Sequence, residues 1–199
     1  VARSSLLAPH RLVIAAVVVV LAVLTLLFLR GPDVWQRYYY PLEHVDEIAR
    51  SAKRHEVNPY LVAAMIDAES DWEEGITSEA GAVGLMQVLP ETAEDLRDRG
   101  LVDEETVSGG DLSDPAVNIE YGTAYIRLLV ERYHEIETAV AAYNAGMANV
   151  DEWVEEGEDI RDTIEFPETR HYVLRVVRAR DVYEELYPAE FPGWGEDGW

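Results

Sequence analysis

The sequence predicts a mainly α-helical protein: a helical domain carried behind one N-terminal transmembrane helix. Three observations lead there. Residues 12–29 contain no charged side chain and a single polar one, Thr25, and a run of that length reaches the lower end of what a bilayer's hydrocarbon core requires. Beyond it, apolar positions recur every three or four residues, and no stretch alternates convincingly with the period of a strand. At Asn58-Pro59 and again at Asp114-Pro115, a side chain suited to capping helix N–H groups stands directly before a proline suited to the first helical position.

The elements follow in order. Arg3, His10 and Arg11 precede the apolar run, and Arg30 ends it. A secretory signal usually has a shorter apolar core and a small-residue cleavage site. Here the run closes on Phe28-Leu29-Arg30-Gly31-Pro32, so an uncleaved anchor is expected: residues 1–30 form a cytoplasmic stub and a span over about 12–29. Positive charge favours the cytoplasmic side, but Arg3 and Arg11 are opposed by Arg30 and Arg37. The single domain that follows places the N-terminus inside. The expected location is the cell membrane, single-pass, with the domain on the extracytoplasmic, cell-wall side. Residues 31–40 read as a juxtamembrane connector with an aromatic cluster, Trp35 and Tyr38-Tyr39-Tyr40, suited either to the membrane edge or to packing on the domain. The main domain is expected over 41–187. Its first helix opens at Pro41 and runs to about His55, with Val45, Ile48, Ala49 and Ala52 on the apolar face. A second runs from Pro59 to near Glu69, and a short one begins at Pro90. A longer helix starts at Pro115 and carries Ile119, Tyr125, Leu128 and Leu129 to about Tyr133. Residues 136–144 form another, stopped near Gly146, and a short helix carries Val150 and Trp153. The last, from about 168 to 186, buries Tyr172, Val173, Val176, Val177 and Tyr183. Residues 188–199, rich in Pro, Gly and Trp, form an irregular acidic, aromatic tail.

The charge balance narrows the partners. The chain holds 39 acidic and 16 basic residues, and three of the basic ones lie within the first 30 positions. The remainder therefore sets 13 basic against 39 acidic residues, a formal charge of −26, with Lys53 as its one lysine. Such a surface repels nucleic-acid phosphates and anionic headgroups, so no nucleic-acid partner is expected. Its acidic residues are spread along polar helix faces, which suits a solvated surface whose self-repulsion salt would relieve. Cysteine is absent, which excludes disulfides and thiolate metal sites. His-Glu-x-x-His, Gly-x-Ser-x-Gly and the phosphate-binding Gly-x-x-x-x-Gly-Lys are also missing. Of five scattered histidines only His171 lies beside a candidate site, and no metal or cofactor is expected.

The strongest single candidate is Glu69. At helical spacing it shares a face with Met65 and Ile66, while Asp67 points away. A carboxyl against an apolar wall loses hydration in its charged form, so its pKa should rise. A neutral acid near pH 7 is what general acid catalysis needs. Alone, Glu69 reads more readily as a helix-end glutamate with a salt-bridge partner, since perturbed carboxylates are often structural. The residues around it decide. Glu69-Ser70 is followed by Ser78, then Gly81-Ala-Val-Gly84-Leu-Met86-Gln87, then Pro90-Glu-Thr-Ala. Asp114-Pro-Ala-Val-Asn118-Ile119, Gly122, Ala141-Ala-Tyr143-Asn144-Ala-Gly146 and Ile164-Glu-Phe-Pro-Glu168-Thr169-Arg170-His-Tyr172-Val173 complete the series.

In this order and spacing, over about residues 40–187, the series closely resembles the catalytic domain of the soluble lytic murein transglycosylase family, whose fold is lysozyme-like and related to goose-type lysozyme. The resemblance implies cleavage of the β-1,4 bond between N-acetylmuramic acid and N-acetylglucosamine in peptidoglycan strands. It makes Glu69 the catalytic residue, first as acid toward the glycosidic oxygen, then as base toward the muramoyl 6-hydroxyl, which closes a 1,6-anhydro ring with help from the 2-acetamido group. Among the substrate-binding positions it implies, Ser70 supports Glu69 or the helix end, and Ser78 hydrogen-bonds near the reacting sugar. Gly84 permits a special backbone conformation or close sugar approach. Met86 and Gln87 line the cleft, Gln87 contacting N-acetyl or hydroxyl groups. Tyr143 and Asn144 form the opposite wall, with the Tyr143 hydroxyl aimed at the acid or the acetamido group, and Tyr172 and Glu168 complete it. Trp72 receives no chemistry. Ordinary glycosidases use two carboxylates, and Asp71, Glu73 and Glu74 fall in a polar loop where solvation is expected. A hydrolytic, lysozyme-like muramidase and a non-catalytic glycan-binding scaffold are the alternatives. A monomer, attached to the membrane by its N-terminal helix, is expected.

Overall fold

The computed structural model describes residues 9–154 and 159–194, and the chain divides into two compact units, the second beginning at Tyr40. The first unit is one helix, α1 (Pro9–Tyr39). Its stretch His10–Phe28 is long and apolar enough to cross a membrane, and none of it is buried. The segment expected as a connector continues this helix. Trp35, Tyr38 and Tyr39 are exposed on it, and the Tyr38 and Tyr39 rings meet edge to face at 5.4 Å. Tyr40 belongs to the second unit, where its ring packs edge to face on Tyr183.

The second unit holds α2 (Val45–His55), α3 (Pro59–Ser70), α4 (Pro90–Asp98), α5 (Glu104–Val107), α6 (Pro115–Tyr133), α7 (Ile136–Ala145), α8 (Met147–Trp153), α9 (Ile160–Thr163) and α10 (Pro167–Leu186). Both cap-then-proline signals act as read. Asn58 Oδ1 accepts the Tyr60 N–H at 2.9 Å, and Asp114 Oδ1 accepts those of Ala116 and Val117. The first helix of this unit starts later than Pro41. His44 takes a left-handed conformation (φ 49°), and the Pro41 carbonyl accepts the Tyr183 hydroxyl at 2.9 Å instead of a helical N–H. Helices α5 and α9 lie in stretches too short to show a period. Among the described residues the extended pairing amounts to two isolated bridges, Thr77 with Val83 and Val83 with Val88.

Helix α3 runs through the middle. Every residue from Pro59 to Ile66 is buried, because α10 and α2 pack along it and α6 lies behind α2. Helix α7 bridges α6 and α10. One ion cluster fastens the frame. Glu120 of α6, 1% exposed, accepts hydrogen bonds from Ser51, Arg54 and His55 of α2 and from the Asp103 N–H. Burial would raise its pKa, but the His55 and Asp103 hydrogen bonds and the remaining donors outweigh that and hold it below the usual carboxylate range. The described part of the tail is irregular but docked: Phe191 is buried and meets Tyr60 edge to face at 5.2 Å. The last five residues of the expected tail lie outside the described residues.

Candidate active site

Four segments converge at the C-terminal end of α3. That end contributes Glu69 and Ser70, residues 71–89 loop over it, α7 arrives with Tyr143 and Asn144, and α10 passes with Thr169, Tyr172 and Arg175. Hydrogen bonds tie each to the next. The Tyr172 hydroxyl donates to Glu69 Oε1 at 2.5 Å, joining α10 to α3. The Tyr143 hydroxyl donates to the Met86 carbonyl at 2.8 Å, joining α7 to the loop. The Thr169 hydroxyl donates to Asn144 Oδ1 at 2.8 Å, joining α10 to α7.

Glu69 has the environment expected from its helix face. Desolvation raises its carboxyl, and the Tyr172 hydrogen bond and the Arg175 charge lower it only in part, leaving it at about 7. Both tyrosine hydroxyls beside it are pushed well above their ordinary value, by burial first and then by the charge of Glu69. They therefore serve as neutral donors. Asp71, Glu73 and Glu74 are exposed, as expected. Asp67 is half-buried on the other side of α3, 3.3 Å from the Tyr183 hydroxyl, which also accepts the Trp72 indole N–H at 2.9 Å. Desolvation raises the Asp67 carboxyl as well. Trp72 has a structural place, buried with φ 64°, held by that hydrogen bond.

The loop corrects two of the expected side-chain roles. Met86 is fully buried. Its sulfur and Cβ fill the space over Gly122, where an added Cβ would come within 2.4 Å of Sδ, so the side chain does not line the cleft. Its backbone serves the site instead, through the carbonyl bound by Tyr143 and an N–H donated to Asn118 Oδ1 at 2.7 Å. The Tyr143 hydroxyl proton is thereby committed to Met86, and it is Tyr172 that holds the acid. Gly84 has φ 78°, as a special backbone conformation requires. The close neighbours are Asn118 Nδ2 and the Leu112 carbonyl, at 2.4 and 2.6 Å from an added Cβ, rather than open space for a sugar.

The other expected residues are placed as follows. Gln87, at φ 47°, donates its amide N–H to the Gly84 carbonyl at 2.9 Å, which leaves its carbonyl oxygen for a ligand. Ser70 is buried and donates to the Ile66 carbonyl at 3.1 Å, a helix-end role. Ser78 is exposed, and its Oγ accepts the Ala82 N–H at 3.1 Å. Glu168 is exposed in the first turn of α10. Asn144 is exposed with its amide nitrogen uncommitted by the Thr169 bond. Sequence reasoning missed what Asn118 does. Fully buried, it accepts from Met86 and donates to the Val83 and Leu112 carbonyls at 2.7 and 2.8 Å, replacing a strand partner for the loop. An asparagine four residues into a helix, where the apolar face should run, was the available signal. A cavity of about 900 Å³ elsewhere is lined by Arg54, Asp103 and Arg127 among others. It contains none of the residues above and belongs to the Glu120 frame.

Comparisons with known proteins agree with this geometry. Residues 46–164 match the sequence model of the transglycosylase SLT domain. The soluble lytic murein transglycosylase of Escherichia coli K12 is 31% identical over 160 residues, covering 77% of this chain and 24% of that protein. The membrane-bound lytic murein transglycosylase C of Actinobacillus pleuropneumoniae is 33% identical over 127 residues, covering 59% of this chain and 33% of the relative. The crystal structure of the 70 kDa soluble lytic transglycosylase of E. coli superposes with a TM-score of 0.69 at 29% identity, covering 81% of this chain and 28% of that one. An inactive glutamate-to-glutamine mutant of the Pseudomonas aeruginosa lytic transglycosylase Slt gives 0.68 at 27%, covering 80% and 28%. The chain thus spans about a quarter of the length of the first of these curated relatives, and the helical unit has the lysozyme-like fold of the lytic transglycosylases.

Proposed function

The chain belongs to the transglycosylase SLT family, and from that premise we propose that it is a peptidoglycan lytic transglycosylase. It cleaves the β-1,4 bond between N-acetylmuramic acid and N-acetylglucosamine and leaves 1,6-anhydro-muramoyl ends. The observation that carries the reading is Glu69: one half-buried carboxyl with a pKa of about 7, held by a neutral tyrosine. Neutral Glu69 gives its proton to the glycosidic oxygen as the bond from the anomeric carbon breaks, and the 2-acetamido group of the same sugar stabilises that carbon. The resulting carboxylate then takes the proton of the 6-hydroxyl while its oxygen bonds the anomeric carbon. The proton lost in the first step returns in the second, and no water enters the product.

A residue poised near neutrality suits both halves of that cycle. Hydrolysis would call for a second carboxylate at a set separation. The candidates near in sequence are solvated, and Asp67 faces Tyr183 instead. Gln87, Asn144 and Tyr172 are the residues we assign to sugar contact, with Ser78 and Glu168 at the margins and Gly84, Ser70 and the Met86 backbone shaping the cleft. Helix α1 serves as a single-pass anchor with its N-terminus in the cytoplasm, which puts the domain on the side where peptidoglycan lies. The likeness to a membrane-bound relative supports anchoring.

The test is mass spectrometry of sacculi digested with the full chain in a mild non-ionic detergent. Anhydro ends, one water lighter than hydrolytic ends, are expected, and Glu69→Gln should abolish them. Hydrated reducing ends would make the protein a muramidase. Undiminished release by the variant would remove Glu69 from the mechanism.

A further inference from the structure

The C-terminal turn of α3 raises a question of its own. The last carbonyls of a helix lack intrahelical partners and carry the negative end of its dipole. Here the Asp67 carbonyl accepts the Asp71 N–H, and the Ser70 carbonyl accepts that of Glu73. Ala68, directly before the catalytic glutamate, finds no such backbone partner. Nor does α3 place a basic side chain in its own last turn. The missing cation comes from α10: an Arg175 guanidinium N–H donates to the Ala68 carbonyl. Arg175 stands one helical turn after Tyr172, whose hydroxyl holds Glu69, so the two side chains grip adjacent points of the same turn from the same face of α10.

We propose that Arg175 is a positioning residue for the reaction, fixing the C-terminal turn of α3 against α10 and supplying the positive charge beside which Glu69 gives up and recovers its proton. This rests on the reading of Glu69 as acid and base. The groups that face Glu69 are few. From α10 they are Tyr172 and Arg175, from α7 Tyr143, and on α3 itself Asp67 lies across the helix with Asp71 behind it. Arg175 is the one cation among them, and its charge acts on Glu69, Asp67 and Tyr172 alike. Desolvation alone would hold the proton on Glu69 so firmly that its transfer to the glycosidic oxygen in the first step would suffer. Arg175 opposes desolvation without closing the site, because its side chain runs along the surface.

The test uses the full chain with Arg175→Gln and Arg175→Lys. Two readouts are taken: the pH profile of anhydro-muropeptide release, and the Glu69 carboxyl titration followed by ¹³C NMR. In Arg175→Gln the Glu69 titration and the basic limb of the profile should both move up by roughly half a pH unit, the size expected for a partly solvated ion pair. The kcat should fall about tenfold with KM little changed, because a loosened turn misplaces the acid rather than the sugar. Arg175→Lys should restore the titration but only part of kcat, since an ammonium keeps the charge and loses the planar fork. An unmoved Glu69 titration together with wild-type kcat in Arg175→Gln would overturn the proposal. If the wild type instead yields hydrated ends, the transglycosylase reading fails while the titration still decides the role of Arg175.

Discussion

Replacing Glu69 by glutamine should make the folded protein more stable, and by an amount that depends on pH in a prescribed direction. In the folded state the carboxyl titrates at about 7, against an ordinary value of 4.5. A carboxyl with a raised folded pKa makes the native state bind more protons than the unfolded chain between those two values. Stability is therefore fully present below about pH 4.5 and is lost as pH rises through 7. At ~1.4 kcal/mol per pH unit, the ionised carboxyl costs the native state about 3 kcal/mol at pH 8. The amide removes that cost, and its carbonyl oxygen still accepts the Tyr172 hydroxyl. Glu69→Gln should thus gain about 2–3 kcal/mol at pH 8, roughly 5–10 °C in Tm for a domain of this size, and nothing at pH 4. Urea unfolding of both proteins in detergent, from pH 4 to 8.5, measures the difference, and groups shared by the two chains cancel. A gain independent of pH would mean that the carboxyl is not desolvated. A loss at pH 8 would mean that Glu69 is a structural ion-pair partner, the reading that its sequence position alone left open.

Two further outcomes follow from the frame. Gly84→Ala forces a left-handed conformation on a residue with a Cβ and drives that atom to 2.4 Å from Asn118 Nδ2. It should cost about 3 kcal/mol and most of the activity, read from Tm and from muropeptide release. Glu120→Ala leaves Arg54, His55 and the Asp103 N–H without their acceptor, a loss of about 3–5 kcal/mol. Because the Glu120 carboxyl is held below its ordinary range, its contribution is present above the unfolded pKa and fades as pH falls through the folded one. The gap in urea midpoint between wild type and variant should therefore be full at pH 7 and close only at strongly acidic pH.

How far the sequence could be read depended on how local the cause was. Helix starts set by Asn58-Pro59 and Asp114-Pro115 were legible because the cap and its N–H partners lie within three residues. The start of α2 was misread because Tyr183, far along the chain, claims the Pro41 carbonyl. The same division runs through the site. The partial burial of Glu69 followed from its own helix, and the resemblance carried the order of the motifs. Which hydroxyl reaches Glu69 did not follow, since Tyr143 and Tyr172 both sit on helices that face it and the Met86 carbonyl decides between them. Met86 was misplaced for a related reason: only the packed structure shows that Gly122 leaves a hole of its size. Arg175 gave no signal at all. It is an exposed arginine on a polar helix face, and only the passage of α10 beside the end of α3 gives it a partner.

Glu69 and Glu120 are the same residue type, both withdrawn from water, yet they are driven in opposite directions. The difference lies in how many donors each is given. Glu120 receives four hydrogen bonds, two of them from basic side chains, which replace most of the hydration that its charge lost. Glu69 receives one, from a neutral hydroxyl, with Arg175 acting only at a distance. A carboxylate satisfied four times over has no reason to hold a proton near pH 7, and one satisfied once has no reason to release it until a substrate atom offers to exchange it. The instability of the ionised Glu69 is therefore not a defect in packing. It is the driving force for the second proton transfer, and a variant that cured it by adding a donor at Glu69 would gain stability and lose the return step.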